Sequence, residues 1–231
     1  MRELLPHLLE VMGPVERSHE LILVDDASTD ASAEVIRSFQ EDNPTIRLIS
    51  LPERGGQTEC FRAAFGQVRG EHVIRMDADL QDDPSDLTRF LEKIDEGADL
   101  VMGLRECRKH PRMLRFASGV YDLLVLLLFD SPLHSNSGSY VAFRTSFIRE
   151  IPFRKNDHRY IPLIVMRRGA KNIGEVFVHH HERRFGETHY KPLKKLLLGI
   201  PEMFLFLIRL YRGVYDMSPL GKPKTVAGKH D

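Results

Sequence analysis

Two carboxylates two residues apart, Asp77 and Asp79, stand directly behind an apolar run. Side chains at that spacing can close on one divalent cation, and hard oxygen donors suit Mg²⁺ or Mn²⁺. A cation held there could neutralise a diphosphate leaving group. An exposed acidic turn would show the same letters; the continuation Leu80-Gln81-Asp82-Asp83-Pro84 favours the metal reading. A second acidic segment, Asp25-Asp26-Ala27-Ser28-Thr29-Asp30, also follows an apolar run. It reads either as a helix-capping turn or as carboxylates that accept hydrogen bonds from a base N–H or a ribose hydroxyl. Its pairing with Asp77 at another strand end favours the second.

Three consecutive histidines, His179 to His181, open a polar run that ends at Tyr190. They invite a metal reading, but strand alternation sends only His179 and His181 to one face, and no carboxylate partner is evident in the sequence. Polar strand-end histidines are the expectation. Arg183 and Arg184 precede the glycine turn at Gly186 and are read as phosphate ligands, because guanidinium groups meet phosphate in a bidentate fork. A solvated basic loop is the plain alternative.

Such groups need a scaffold that gathers distant strand ends. Glu20–Val24, Ile46–Leu51, Glu71–Met76 and Asp99–Met102 read as short apolar strands. Between them lie a helix from Ser28 or Asp30 to Gln40, one from Gln57 to Val68 opened by Gly55-Gly56, and one from Ser85 with Leu87, Phe90, Leu91 and Ile94 on one face. This alternation predicts a parallel sheet with helices on both faces and a ligand site outside the carboxyl ends of the strands, where both acidic pairs fall. Past Arg105 come a basic stretch (Arg108 to Arg112), an apolar helix, a strand over Ser139–Phe143, helices near Thr145 and over Asp157–Arg168, and a strand through Val178. A receiver domain also has an acidic pair and a later aspartate at strand ends. The helix Glu3–Met12 ahead of the first acidic strand, and the lack of a lysine at a later strand end, argue against it.

Composition narrows the function classes. The chain has 231 residues, 42% hydrophobic and 29% charged, which fits one large domain or two very small ones and argues against disorder. Lys plus Arg and Asp plus Glu are 33 each, so no basic excess points to nucleic acid. The two cysteines, Cys60 and Cys107, are not spaced for a disulfide scaffold or a zinc site, and suit a reduced, cytoplasmic setting. Val120–Phe129 and Leu196–Tyr211 are strongly apolar but interrupted, and neither reaches the roughly 18–20 residues of a spanning helix. Both suit helices lying on a bilayer, with buried core helices as the alternative. Pro201 is expected in the first turn of an apolar helix running from Met203 to Tyr211, with Lys191, Lys194 and Lys195 just ahead of it.

Taken in order, Val24-Asp-Asp-Ala-Ser-Thr-Asp30, Gly56-Gln57-Thr58, Asp77-Ala-Asp-Leu-Gln81 with Pro84, Gly103-Leu-Arg105 with Arg108, Ser137-Gly138-Ser139, His158-Arg159-Tyr160 with Pro162, and Arg183-Arg-Phe-Gly186-Glu-Thr188-His-Tyr190 form one pattern. With it, Leu4 to Leu210 resembles the family 2 glycosyltransferases of the polyprenyl-phosphate type, relatives of dolichol-phosphate mannosyltransferase. The resemblance implies a GT-A fold, an α/β, Rossmann-like, mostly parallel sheet with helices on both faces. It also implies inverting transfer from a nucleotide-diphosphate sugar to a polyprenyl phosphate, dependent on Mg²⁺ or Mn²⁺. Asp79, Asn136 and Arg183 would then be catalytic. Asp25, Asp26, Gly56, Gln57, Asp77 and Gln81 would bind the nucleotide sugar, with Asp77 and Asp79 on the metal. Arg105, Arg108, Arg184, Thr188 and Tyr190 would meet the acceptor or its phosphate.

The pattern departs from that family in four places. The chain opens at the helix that normally follows a first strand, so an open sheet edge and a gap are expected beside Leu21–Val24. Gly55 replaces an asparagine, Asn136 replaces an aspartate near the acceptor, and the hydrophobic spans that often follow are not seen. An amide at 136 is tolerable for a phosphate acceptor, which is already anionic, and awkward for a hydroxyl, which needs a base. The expected organisation is a transferase domain over 1–190, an interfacial apolar region over 191–217 and a disordered tail over 218–231. Peripheral attachment to the cytoplasmic membrane face follows, with a homo-oligomer open. A catalytically weak homologue that binds donor or partner is the alternative.

Overall fold

Strand β1 (Leu21–Asp25) pairs in parallel with β2 (Ile46–Ser50), in a register running from Leu21 opposite Ile46 to Asp25 opposite Ser50. A second sheet holds β3 (His72–Arg75), β4 (Leu100–Arg105), β5 (Val141–Arg144) and β6 (Ile173–Val178), in the order β3-β5-β4-β6. Strand β4 runs parallel to β6, while β5 is antiparallel to both β3 and β4. These elements come from a computed structural model that describes residues 1–105, 123, 128–129, 139–181 and 192–217, with the backbone alone over 192–198.

The helices are α1 (Leu4–Met12), α2 (Ser32–Asp42), α3 (Gln57–Phe65), α4 (Leu87–Asp95), α5 (Ile161–Arg167) and α6 (Pro192–Tyr211). Apolar spacing explains which face each one buries. In α4, Leu87, Phe90 and Ile94 recur at helical intervals and are buried against Val101, Val176 and Val178 of the sheet. Fully burying a phenylalanine such as Phe90 contributes about 1.5–3 kcal/mol. On the opposite sheet face Leu100, Met102, Val141 and Phe143 pack against Ile161 and Ile164 of α5 and Met203 and Phe206 of α6. The start of the α4 segment is fixed by Asp83, whose carboxylate accepts the Ser85 N–H at 2.9 Å, with Pro84 set in the first turn.

Several expectations need correction. The α/β architecture is the expected one, but the strands fall into two sheets, because β1 and β3 are not hydrogen-bonded to each other, and β5 runs antiparallel where the alternation of elements predicts a parallel strand. The segments at Thr145 and Asp157 are short 3₁₀ turns, and the helix after the second begins only at Ile161. Pro201 lies inside α6, not in its first turn, because the helix begins at Pro192. It offers no N–H to the turn before it. The tail from Ser218 and most of Val120–Phe129 lie outside the described residues.

Candidate active site

Both acidic turns leave their strands through a strained residue. Ala27 has φ 52° and Leu80 φ 63°, a left-handed conformation uncommon for residues with a side chain. Strain of that kind persists where the surroundings over-determine it, and it clusters at functional sites.

At the first turn Asp25 is buried and its carboxylate accepts the Ser28 N–H at 3.2 Å. Asp26 faces the other way. Its carboxylate accepts the Gly55 N–H at 2.7 Å and the Gly56 N–H at 3.0 Å, tying the end of β1 to the start of α3. Gly56 has φ 76°, so a glycine is needed at that junction. Asp26 therefore positions the loop before Gln57. Thr58, one residue on, is buried, and its Oγ1 lies 2.8 Å from His158 Nδ1, which unites two segments of the sequence pattern 100 positions apart.

At the second turn the Asp77 N–H donates to Asp82 Oδ2 at 3.3 Å, and Arg75 Nη2 lies 3.5 Å from Asp77 Oδ1. Burial pushes the Asp77 carboxyl above the usual aspartate range, with Asp82 and Asp79 adding to the rise and Arg75 opposing it. Asp79 accepts the Gln81 N–H at 3.2 Å, a local turn that fixes its carboxylate. Asp82 is almost fully buried and accepts the Ser139 hydroxyl at 2.7 Å; that hydroxyl in turn accepts from Arg105 at 3.1 Å. Burial raises the Asp82 carboxyl, but His180, Ser139, the Asp77 N–H and Arg105 outweigh it, and the pKa falls below the ordinary value. Arg105 thus ends β4 behind the acidic turn.

The three histidines have carboxylate partners after all. His179 meets Asp86 (backbone N–H to Oδ2 2.6 Å, Nδ1 to Oδ1 3.0 Å), His180 Nδ1 lies 3.6 Å from Asp82, and His181 Nε2 lies 2.7 Å from Asp83. The His181 N–H also donates to the Gln81 carbonyl at 2.8 Å. The partners come from a loop some hundred residues earlier, so no local sequence signal reveals them. The result is a clasp that ties the end of β6 to the loop after Asp79.

A cavity of about 450 Å³ receives Asp25, Ser28, Gln57, Arg75 and Asp77 on one lining, and Cys60 with them. Burial, with Asp26 and Asp25 nearby, pushes the Cys60 thiol up to about 11, so it is no nucleophile at neutral pH. Among the described residues no group of three or more His, Cys, Asp or Glu side chains is arranged to hold a metal ion. The two-carboxylate set of Asp77 and Asp79, crowded by Asp82, still fits Mg²⁺ or Mn²⁺, since such ions are held by one or two carboxylates together with substrate phosphates. Sequence reasoning passed over Arg75, whose guanidinium carbon lies 4.5 Å from the Phe61 ring centre beside Asp77, and gave no role to Ser139 of the sequence pattern, which joins Asp82 to Arg105. An arginine inside an apolar strand, two positions before Asp77, was the available signal. Arg108, Asn136, Arg183, Arg184, Thr188 and Tyr190 lie outside the described residues.

Residues 7–152 match the model of glycosyl transferase family 2. The chain belongs to that family. Among the relatives of this family 2 chain is the undecaprenyl-phosphate 4-deoxy-4-formamido-L-arabinose transferase of Edwardsiella ictaluri, 29% identical over 86% of this chain and 61% of that protein. Another is the dodecaprenyl-phosphate galacturonate synthase of Rhizobium johnstonii, 31% identical over 88% of this chain and 59% of that protein. The family 2 chain thus spans about three fifths of these relatives' length. In fold it is similar to glucosyl-3-phosphoglycerate synthase from Mycobacterium tuberculosis, solved with Mn²⁺ and UDP-glucose, at a TM-score of 0.61 and 17% identity over 87% of this chain and 73% of that one. The architecture is GT-A.

Proposed function

We propose that this chain is the sugar-transfer unit of a polyprenyl-phosphate glycosyltransferase that uses a nucleotide-diphosphate sugar. The observation that supports the reading is the meeting of Asp25, Gln57 and Asp77, from three separate elements, on one cavity that runs along β1 and β3 and reaches their carboxyl ends. The relatives' acceptors, undecaprenyl and dodecaprenyl phosphate, support the lipid, and the Mn²⁺ and UDP-glucose of the structural neighbour support the donor class.

In this reading Asp25 accepts hydrogen bonds from the nucleoside, while Asp26 holds Gly55 and Gly56 so that Gln57 faces the donor. Asp77 and Asp79 would hold Mg²⁺ or Mn²⁺, which when bound offsets the charge on the departing diphosphate. An oxygen of the lipid phosphate forms a bond to the anomeric carbon as the bond from that carbon to the nucleoside diphosphate breaks, so configuration inverts. The phosphate is already anionic, and no side chain has to remove a proton from it. Arg105, with Arg108, Arg183 and Arg184, would steer that phosphate; the work of the site is orientation and electrostatics.

Attachment at the cytoplasmic membrane face would be peripheral. No helix among the described residues is long and apolar enough to cross a membrane. Helix α6 buries Met203 and Phe206 in the core and is held there by Arg209 on the buried Asp157 carboxylate at 2.8 Å. Its other face exposes Phe204, Leu205, Ile208 and Tyr211, which suits a bilayer surface.

Release of nucleoside diphosphate from a panel of nucleotide sugars, with Mn²⁺ and undecaprenyl phosphate in micelles, tests the reading. Release that requires the lipid phosphate is expected. Donor binding by calorimetry with no transfer to any lipid phosphate would instead mark a donor-binding homologue.

A further inference from the structure

The turn over residues 156–160 is wedged between α3 and α6. The chain enters it through Asn156, which holds a left-handed conformation at φ 69° and ψ 2°. Asparagine is among the few residues with a side chain that visit this region. On the α3 side the Asn156 N–H donates to Thr58 Oγ1 at 3.1 Å. The His158 ring meets the same hydroxyl at 2.8 Å and stacks on Phe61 with 6.4 Å between ring centres. On the α6 side the Asn156 amide donates to one oxygen of Glu202, and Arg159 donates to the other at 3.2 Å. Tyr160 stacks on Phe206 at 4.1 Å. Asn156 therefore bonds one helix through its backbone and the other through its side chain.

These bonds end on the first turn of α3. Thr58 is buried, and its hydroxyl carries one proton and two acceptor sites. The Asn156 N–H and the His158 ring take two of those three, which fixes Thr58 from the α6 side. From the β1 side the Asp26 carboxylate accepts the Gly55 and Gly56 N–H groups. Gln57 lies between these two anchors and lines the cavity with Asp25 and Asp77. Held by Asp26 alone, the turn would be free to pivot about Gly56, the residue in it with the widest conformational freedom.

We infer that Asn156 and Glu202 are positioning residues for the donor loop: through Thr58 they fix the first turn of α3, and with it Gln57, from the side opposite Asp26. The inference rests on the reading of Gln57 as a donor ligand. It adds to that reading two residues that lie outside both the cavity lining and the sequence pattern. The chemistry at each position is specific. At 156, glycine would take the backbone conformation as readily but offers α6 no donor, and aspartate would set an oxygen against an oxygen. At 202 the need is an acceptor, which glutamine retains and alanine lacks. One such hydrogen bond is worth about 3–10-fold in an equilibrium. Helix α6, which is remote in sequence from the acidic turns, thereby takes part in ordering the donor side of the site.

Glu202→Ala, Asn156→Gly, their double variant and Glu202→Gln test it, each read in two ways. Amide hydrogen exchange without ligand follows Gly55, Gly56, Glu59 and Cys60, whose N–H groups are bonded to Asp26 or to the Gly56 carbonyl. Calorimetric titration with UDP, GDP, CDP and ADP in the presence of Mn²⁺ gives the affinity on the donor side. Glu202→Ala and Asn156→Gly should each speed exchange at those four amides, and weaken the diphosphate that the parent binds, by about 3–10-fold. Amides of the β4–β6 ladder should keep the parent rates. The double variant should do no more than either single one, because both remove the same bond. Glu202→Gln should restore most of the loss. Unchanged exchange at the four amides, effects that add, or glutamine as harmful as alanine would overturn the inference. Faster exchange with unaltered affinity also overturns it, since the pair would then be a structural tie alone. A parent that binds none of the four diphosphates refutes the donor reading, and the positioning role with it, so the parent distinguishes the two failures. Should Asn156→Gly not fold, the two Glu202 variants decide.

Discussion

Replacing Asp82 with alanine removes an almost fully buried carboxylate that accepts the Ser139 hydroxyl at 2.7 Å and the Asp77 N–H at 3.3 Å. A buried donor stripped of its acceptor costs about 1–3 kcal/mol. The Ser139 hydroxyl can rotate toward another acceptor, whereas the Asp77 N–H is fixed by the backbone. Arg105 also loses the negative charge behind Ser139. Against these losses, the Asp77 carboxyl is freed of a like-charged neighbour. The balance is about 2–3 kcal/mol of lost stability, or a fall in Tm of about 4–12 °C for a chain of this size. The turn carrying Asp77 and Asp79, no longer tied at its first N–H, should bind Mn²⁺ together with a nucleoside diphosphate about 10–100-fold more weakly. Urea unfolding followed by circular dichroism gives the first quantity and calorimetric titration the second. Asp82→Asn keeps an oxygen acceptor without the charge and should retain most of the stability. An alanine variant within about 0.5 kcal/mol of the parent, with unaltered metal-dependent binding, would refute the reasoning and make Asp82 a bystander.

Asp79→Asn should abolish Mn²⁺- or Mg²⁺-dependent nucleotide-sugar binding while leaving the melting curve in place; unchanged calorimetric binding would remove Asp79 from the metal. Burial raises the Asp83 carboxyl, but His181 and the Ser85 N–H and hydroxyl outweigh it and bring the pKa down to about 2. A carboxyl depressed on folding adds stability that is present above its unfolded value, about 3.9, and is lost as pH falls through 2. Asp83→Asn should therefore lower Tm at pH 6 and have little effect near pH 2, and an equal loss at both would show that the His181 pairing is not the source. For the membrane, binding to anionic vesicles should weaken when Phe204, Leu205 and Ile208 become serine, and should fall with salt when carried by Lys191, Lys194 and Lys195, each lysine contributing about 1 kcal/mol near the surface. Wild-type protein that ignores such vesicles at low salt would remove the bilayer reading of α6.

The alternation of apolar runs with helical spacing was enough to find β1 to β4 and α1 to α4, because each buries its own side chains through a local period of two or 3.6 residues. What a local period cannot carry is the order and direction of strands. Strand β5 inserts antiparallel between β3 and β4, a pairing set by residues some forty to seventy positions apart and by the packing of Phe143 and Val141 against α5. Helix α6 shows the same limit in another way. Its run of apolar residues is compatible with a core helix or a surface one, and the structure makes it both, with Met203 and Phe206 inside and Phe204, Leu205 and Ile208 outside.

The site divides along a similar line. The carboxylates were legible because chemistry demands them at strand ends, and Asp25 and Asp77 do share a cavity. The groups that hold them were not, since each is an ordinary polar residue until its partner is known. Asp26 looks like a second nucleoside ligand in the sequence and is engaged by the Gly55 and Gly56 N–H groups in the fold. The histidines look unpartnered at positions 179–181 and meet Asp86, Asp82 and Asp83. That clasp fastens the end of β6, through His181, to the loop just behind Asp79. His179→Ala removes the ring contact to the buried Asp86 carboxylate and should therefore lower Tm, read by thermal unfolding, and an unchanged Tm would show that the clasp does not hold that loop.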